Sequence, residues 1–138
     1  MVDIQIIIKK IDELTRTVHD LKRLRSVPLE KIRTSCFDKW AIERGLQIAI
    51  QCLLDIGNHV LAEIGENGIE DYTDVIVKLG EKNVIPAEFA KEIRGMAGFR
   101  NILVHEYLEI DINKLYDMVQ NRLPDFERFI GYIKTALK

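Results

Sequence analysis

The stretch SCFDKWAIERGLQIAIQCLLDIGNHVLAEIG, residues 35–65, decides the fold. Trp40, Ile42, Leu46, Ala49, Ile50, Leu53, Leu54, Ile56, Val60, Leu61 and Ile64 recur at helical spacing and cover most of a helix's circumference. A helix apolar over so much of its surface has to be surrounded by others, so a long central helix is expected, stopped by Gly65. Its polar residues are not scattered. Glu43, Gln47, Gln51, Asp55 and His59 follow at intervals of four, with Arg44 and Asn58 beside them. Steps of four trace one slowly drifting stripe. That stripe either faces water or lines a polar groove, at a dimer interface or beside an active site. Lysine, the usual filler of a solvated helix face, is absent from it, which favours the groove.

Outward from this helix, every long segment has helical periodicity. Ile4, Ile7, Ile11, Leu14, Val18 and Leu21 form a seam of alternating three- and four-residue steps, interrupted by Ser26 and Pro28. A short turn over 29–33 leads into the central helix. GENG, 65–68, is the clearest turn signal in the chain. A helix over about 71–80 follows, closed by Gly80, and Pro86 suits the first turn of another running to about 104. Asp111 can cap a helix over 112–121, and Pro124 restarts or kinks the chain into a last one over 124–137. No segment reads as a strand. The expectation is an all-α, up-and-down helical bundle with a long central helix, one domain over 1–138.

Composition narrows the function. A net charge of −2 argues against nucleic-acid binding through a broad basic surface, so any such contact must be local. The charge is uneven. Lys9, Lys10, Arg16, Lys22, Arg23, Arg25, Lys31 and Arg33 stand against four acids over 9–33, whereas 63–81 is acidic. The basic stretch reads as a solvated helix face or as a docking surface. Cys36 and Cys52 form no CxxC pair, so neither a metal cluster nor a disulfide framework is indicated. No cofactor is expected. The N-terminus lacks the pattern of a signal peptide, and no apolar run is long enough to span a bilayer. A cytoplasmic protein with no membrane partner is expected.

The chemistry-bearing segment is MAGFRNILVHEY, residues 96–107. Arg100 offers a planar cation suited to phosphate. His105 can move protons near neutral pH. Tyr107 adds a phenol close by. The run resembles the Arg-x-x-x-x-His-x-Tyr motif of HepT-like proteins, a branch of the HEPN superfamily, and Asn101 follows Arg100 as in many of them. WAIERGLQIAI (40–50), LLDIGNHVLAEIG (53–65) and DINKLYDMVQNRLPDFERF (111–129) resemble the same branch. The likeness spans about 35–130 and is weakest in the first helix. It implies a toxin of a toxin–antitoxin pair: a homodimeric, metal-independent endoribonuclease, paired with a minimal nucleotidyltransferase antitoxin that AMPylates Tyr107.

Helix geometry adds a constraint. At about 100° per residue, Arg100 and Tyr107 share an azimuth, but His105 lies about 140° from Arg100. Two arrangements resolve this, and the family resemblance, which implies dimers with a composite cleft, implies both. The helix ends near His105, freeing HEYLEI as a loop, and a two-fold dimer sets the arginine of one subunit opposite the histidine of the other. His105 is then general acid or base in transferring the phosphoryl group from the RNA 5′-oxygen to the 2′-hydroxyl. Arg100 holds the phosphate, and Asn101 orients the histidine or a phosphate oxygen. Around this centre, Asp55 and His59 are spaced to pair, and Glu43 with Arg44 could form an ion pair at the groove edge. His19 reads as a surface residue. The competing expectation is a non-catalytic helical subunit that partners a nucleotidyltransferase, which the net charge favours.

Overall fold

The computed structural model describes residues 4–105 and 109–138. Helix α1, Ile4–Arg23, buries Ile7, Ile11, Leu14, Val18 and Leu21 along one stripe. Ile4, the first residue of the expected seam, stays 46% exposed because it lies beyond the packed turn. A 3-10 turn, Leu24–Ser26, and a short helix α2, Leu29–Thr34, then reverse the chain. The segment expected as a simple turn is therefore itself helical.

The central helix α3 runs Cys36–Glu63, about 42 Å at the usual rise per residue. Ser35 caps it, its side chain accepting from the Asp38 amide. Gly65 ends it at φ +79, with the Glu66 N–H donating to the Leu61 carbonyl at 3.0 Å. Eleven of its residues are buried, against α1 on one flank and the later helices on the other. Trp40 and Ile64, counted above in the apolar surface, are nevertheless 58% and 50% exposed. They sit toward the two ends of the helix, where fewer elements cover it.

Helix α4, Tyr72–Glu81, is capped by Asp71, whose side chain accepts from the Asp74 amide at 2.9 Å. Gly80 does not close it. It is buried inside the helix, where an added Cβ would come 2.8 Å from the Ala90 Cβ. The stop is Asn83, at φ +58, with the Val84 N–H donating to the Leu79 carbonyl. The glycine is kept for close helix packing, and asparagine, which tolerates the left-handed region, ends the helix.

The expected helix over 86–104 is two: α5, Ala87–Ile93, and α6, Gly95–Val104, separated at Arg94. The break lets α5 pack on α4 through Ala90 while α6 lies along α3. The last two expected helices instead form one winding path. Helix α7, Ile112–Asp117, capped by Asp111, passes through a wide π turn, Met118–Arg122, into α8, Leu123–Ala136. Pro124 lies in the first turn of α8. Proline has no N–H and its ring crowds the carbonyl four residues back, and the wider preceding turn relieves both problems. The result is the expected all-helical bundle, with no strand among the described residues.

Candidate active site

Helix α6 buries Met96, Ala97, Phe99 and Leu103, which leaves Arg100 and Asn101 at the edge of its contact with α3. There the polar stripe of α3 meets them. The Arg100 Nε donates to Gln51 Oε1 at 2.7 Å, and Arg100 Nη1 donates to Asn101 Oδ1 at 3.1 Å. The Gln51 amide is turned by its other partners, since Nε2 donates to Asp55 Oδ1 at 2.8 Å and to the Tyr72 hydroxyl at 3.3 Å. Asp55 is itself anchored to α1, with Lys10 Nζ 3.6 Å from Oδ2. The Tyr72 ring lies beneath the guanidinium, 4.7 Å from Cζ to ring centroid. Four helices thus orient one arginine. Its Nε and one terminal nitrogen, Nη1, are engaged within the protein, and among the described residues no hydrogen bond uses its second terminal nitrogen, Nη2.

Helix α6 ends at Val104, beside His105, the first of the two expected arrangements. His105 is extended, at φ −88 and ψ 97, with its own N–H donated to the Asn101 carbonyl and its residue exposed. The imidazole is therefore released from the helix's azimuthal constraint one residue after the last turn. Tyr107, the expected AMPylation site, lies outside the described residues.

The supporting residues divide. Asp55 belongs to the site, but its carboxylate is taken by Gln51 and Lys10 rather than by His59. The Glu43–Arg44 pair does not form. Glu43 pairs with Lys39 at 3.6 Å, because residues four apart share a helix face whereas neighbours point about 100° apart. Arg44 instead lines a groove between α1 and α3 with Leu21, Leu24, Ala41 and Ile48. Two site residues escaped the sequence reading. Gln51 was visible only as a member of the stripe, and Tyr72 gave no signal, since its contact with Arg100 spans two helices.

Cys52 plays no part in this chemistry. It is buried, and burial pushes its thiol up to about 12, with Glu13 and Asp55 adding to the effect. Among the described residues no group of three or more His, Cys, Asp or Glu is arranged to hold a metal ion. No helix among them is long and apolar enough to cross a membrane.

The fold is of an all-α class, a helical bundle in which one arginine is held by its Nε edge on the helix that ends at a histidine. The chain belongs to the HepT-like family, described as ribonuclease HepT-like, whose model matches residues 4–133. It is similar to the tRNA nuclease HepT of Aphanizomenon flos-aquae, 27% identical over 132 residues, 96% of this chain and 90% of that one. It also resembles the mRNA nuclease HepT of Shewanella oneidensis, 32% identical over 90 residues, 65% of this chain and 68% of the relative. Among solved structures, a toxin–antitoxin complex with AMP-PNP superposes with TM-score 0.87 at 26% identity, covering 95% of this chain and 98% of that one. The tri-AMPylated Shewanella oneidensis HEPN toxin in complex with its MNT antitoxin gives TM-score 0.86 at 27% identity, over 98% and 99% of the two chains. By family the chain is a HEPN-type ribonuclease.

Proposed function

We propose that the chain is the toxin of a toxin–antitoxin pair, a homodimeric endoribonuclease that cleaves RNA by transphosphorylation without a divalent cation. The observation that carries this reading is the immobilised guanidinium. Arg100 is fixed through Nε by Gln51, and Nη2 remains to hold a phosphate oxygen. The bond formed is 2′-oxygen to phosphorus and the bond broken is phosphorus to 5′-oxygen. One imidazole takes the 2′-hydroxyl proton and another returns a proton to the leaving 5′-oxygen. His105 from each protomer supplies the two, which gives the dimer a chemical reason. The products are a 2′,3′-cyclic phosphate and a 5′-hydroxyl.

The dimer is further supported by an unusual surface. Phe37 and Trp40, 77% and 58% exposed, meet edge-to-face at 5.8 Å on the open side of α3. At about 100° per residue this is the side that carries Arg44, Gln51 and Asp55. Exposed aromatic patches of this kind mark association surfaces. Packing α3 against its two-fold mate through this side would bring the two Arg100–His105 regions toward a common cleft.

The antitoxin in this reading is a minimal nucleotidyltransferase that transfers AMP to Tyr107. An added adenylate two residues from His105 would obstruct the cleft and repel the RNA backbone. The cytoplasm, where RNA is found, is the site of action.

The deciding experiment is cleavage of a mixed RNA pool by the purified protein in EDTA. Cyclic-phosphate ends are expected, with loss of about 10²-fold or more in rate for His105→Ala. Undiminished cleavage by His105→Ala, or dependence on divalent ions, overturns the mechanism. Inertness of the wild-type protein together with tight nucleotidyltransferase binding would favour a non-catalytic subunit. Co-expression with the nucleotidyltransferase should add adenylate mass to the wild-type chain and none to Tyr107→Phe.

A further inference from the structure

Beside Arg100, between α3 and the start of α4, lies a cleft of about 420 Å³ that the mechanism above does not use. Its apolar side is made by Ile69, Val75 and Tyr72, and its polar side by Asn58, Asn101, Glu70 and Asp71. Two of these residues also belong to the arginine site. Tyr72 lies under the Arg100 guanidinium, and Asn101 accepts from Arg100 Nη1. The cleft therefore begins where the phosphate-holding group ends. Because Tyr72 and Asn101 belong to both, the cleft is the neighbour of any nucleoside whose phosphate is held on Arg100.

Its chemistry excludes a second phosphate and favours a base. Glu70 and Asp71 carry carboxylates, which repel anions and accept hydrogen bonds only. Asp71 Oδ1 is spent on the Asp74 amide, and the Glu70 amide is spent on Asp74 Oδ2 at 3.0 Å, so this wall is braced by its own hydrogen bonds. Neither bond uses the Glu70 carboxylate or the second oxygen of Asp71. A ligand here must bring N–H donors and a flat apolar face. Guanine carries two adjacent donors, N1–H and the N2 amino group, at the spacing a carboxylate accepts in pairs. Adenine presents a donor beside an acceptor, and uracil a donor between two carbonyls. Asn101 has its carbonyl oxygen engaged by Arg100, which leaves its amide N–H₂ to donate to an acceptor such as O6. The volume lies in the range of small-ligand pockets.

We propose that this cleft is a nucleobase subsite that selects guanine next to the cleaved phosphodiester. The inference rests on the reading of Arg100 as the phosphate ligand, and it adds a sequence preference to it. Glu70 and Asp71 are exposed, so the discrimination comes from the paired charge-assisted hydrogen bonds that guanine offers a carboxylate and the other bases do not.

The test uses the purified protein and DNA oligonucleotides carrying a single ribonucleotide, so that only one bond can be cut. The bases on either side of that bond are varied among guanine, inosine, adenine, cytosine and uracil. The expected result is a kcat/KM for guanine at one flank about tenfold or more above adenine, with inosine between them because it lacks the N2 amino group. Glu70→Gln and Asp71→Asn, the second of which retains the helix cap, should bring the guanine-to-adenine ratio to about unity. Equal rates for all bases, or a guanine preference untouched by both variants, would overturn the proposal while leaving the nuclease intact. A preference for adenine would overturn it as well and assign the cleft to transferred AMP. If no oligonucleotide is cut, the nuclease reading fails, and calorimetric binding of GMP against AMP decides the cleft alone. Tighter GMP binding lost in Glu70→Gln upholds it, and equal or absent binding refutes it.

Discussion

The Arg100 guanidinium is held through Nε by the Gln51 side chain, 49 positions earlier, at 2.7 Å. Gln51 can serve as the acceptor because its amide nitrogen is committed to Asp55 and Tyr72, which sets the amide's orientation. A hydrogen bond to a charged group contributes about 1.5–3 kcal/mol. Gln51→Leu removes the acceptor without adding bulk. The expected outcome, measured well below the melting transition, is a fall of about tenfold or more in kcat/KM for RNA cleavage with helicity kept and the thermal midpoint lowered by roughly 5–10 °C. Steady-state kinetics beside circular dichroism would check this, and unchanged kinetics would show that Arg100 needs no positioning.

Gly57 lies in the middle of α3, where a Cβ would sit 2.8 Å from both Leu79 Cδ1 and Val75 Cγ1 of α4. Both neighbours are buried, so neither side chain has room to retreat. Overpacking of this kind costs about 1–3 kcal/mol, against a helix-propensity gain of about 1 kcal/mol for alanine over glycine. Gly57→Ala should therefore lower the melting temperature, and because α4 carries Tyr72 it should lower activity too. A variant as stable as the parent would show that α4 can shift freely on α3.

Asp125 is the buried acid of α8, 6% exposed, with Arg122 Nη2 2.8 Å from Oδ2 but outside hydrogen-bond geometry and Arg128 at 3.8 Å from Oδ1. Burial raises its pKa, and the opposing pull of Arg122 and Arg128 does not cancel it. The folded state thus holds this proton more tightly than the unfolded chain. Asp125 favours folding most below the ordinary aspartate range, and that contribution is lost as pH rises toward the raised folded value. Relative to the parent, Asp125→Asn should gain stability as pH is raised through that window and then level off. Thermal melts of both proteins from about pH 3 to about pH 7 give the difference directly. A difference moving the other way would mean that the two arginines dominate.

The two cysteines should separate in a thiol titration. Cys36 is exposed at the start of α3, whereas Cys52 is buried with its thiol pushed up to about 12. One thiol per chain should react with an aromatic disulfide reagent under native conditions, and the second only after denaturation. Rapid reaction of both would indicate that α3 opens locally around Cys52.

Helices and their faces were legible because their causes are local. The seam Ile7, Ile11, Leu14, Val18 and Leu21 is buried as its spacing required, and the stop at Gly65 follows from the one residue type that accepts a positive φ freely. Where two local signals competed, reading them along the chain misled. Gly80 looks like a terminator but serves as a contact for Ala90, and Asn83 ends the helix instead. Trp40 and Ile64 carry apolar side chains that the described residues leave half or more exposed.

From sequence alone came the helical class and a central helix over about 35–65, since both depend on residue type and spacing over a few turns, whereas the Arg100–Asn101–His105 segment stands out through its resemblance to the HepT-like motif. Packing alone decided that Gln51 and Tyr72 meet Arg100, that Asp55 turns from His59 to Lys10, and that Glu43 pairs with Lys39 rather than Arg44. The reason is geometric. Periodicity specifies which face of a helix is polar, whereas which polar groups touch depends on how α6 and α4 are laid across α3, and that is set by the fit of their buried side chains.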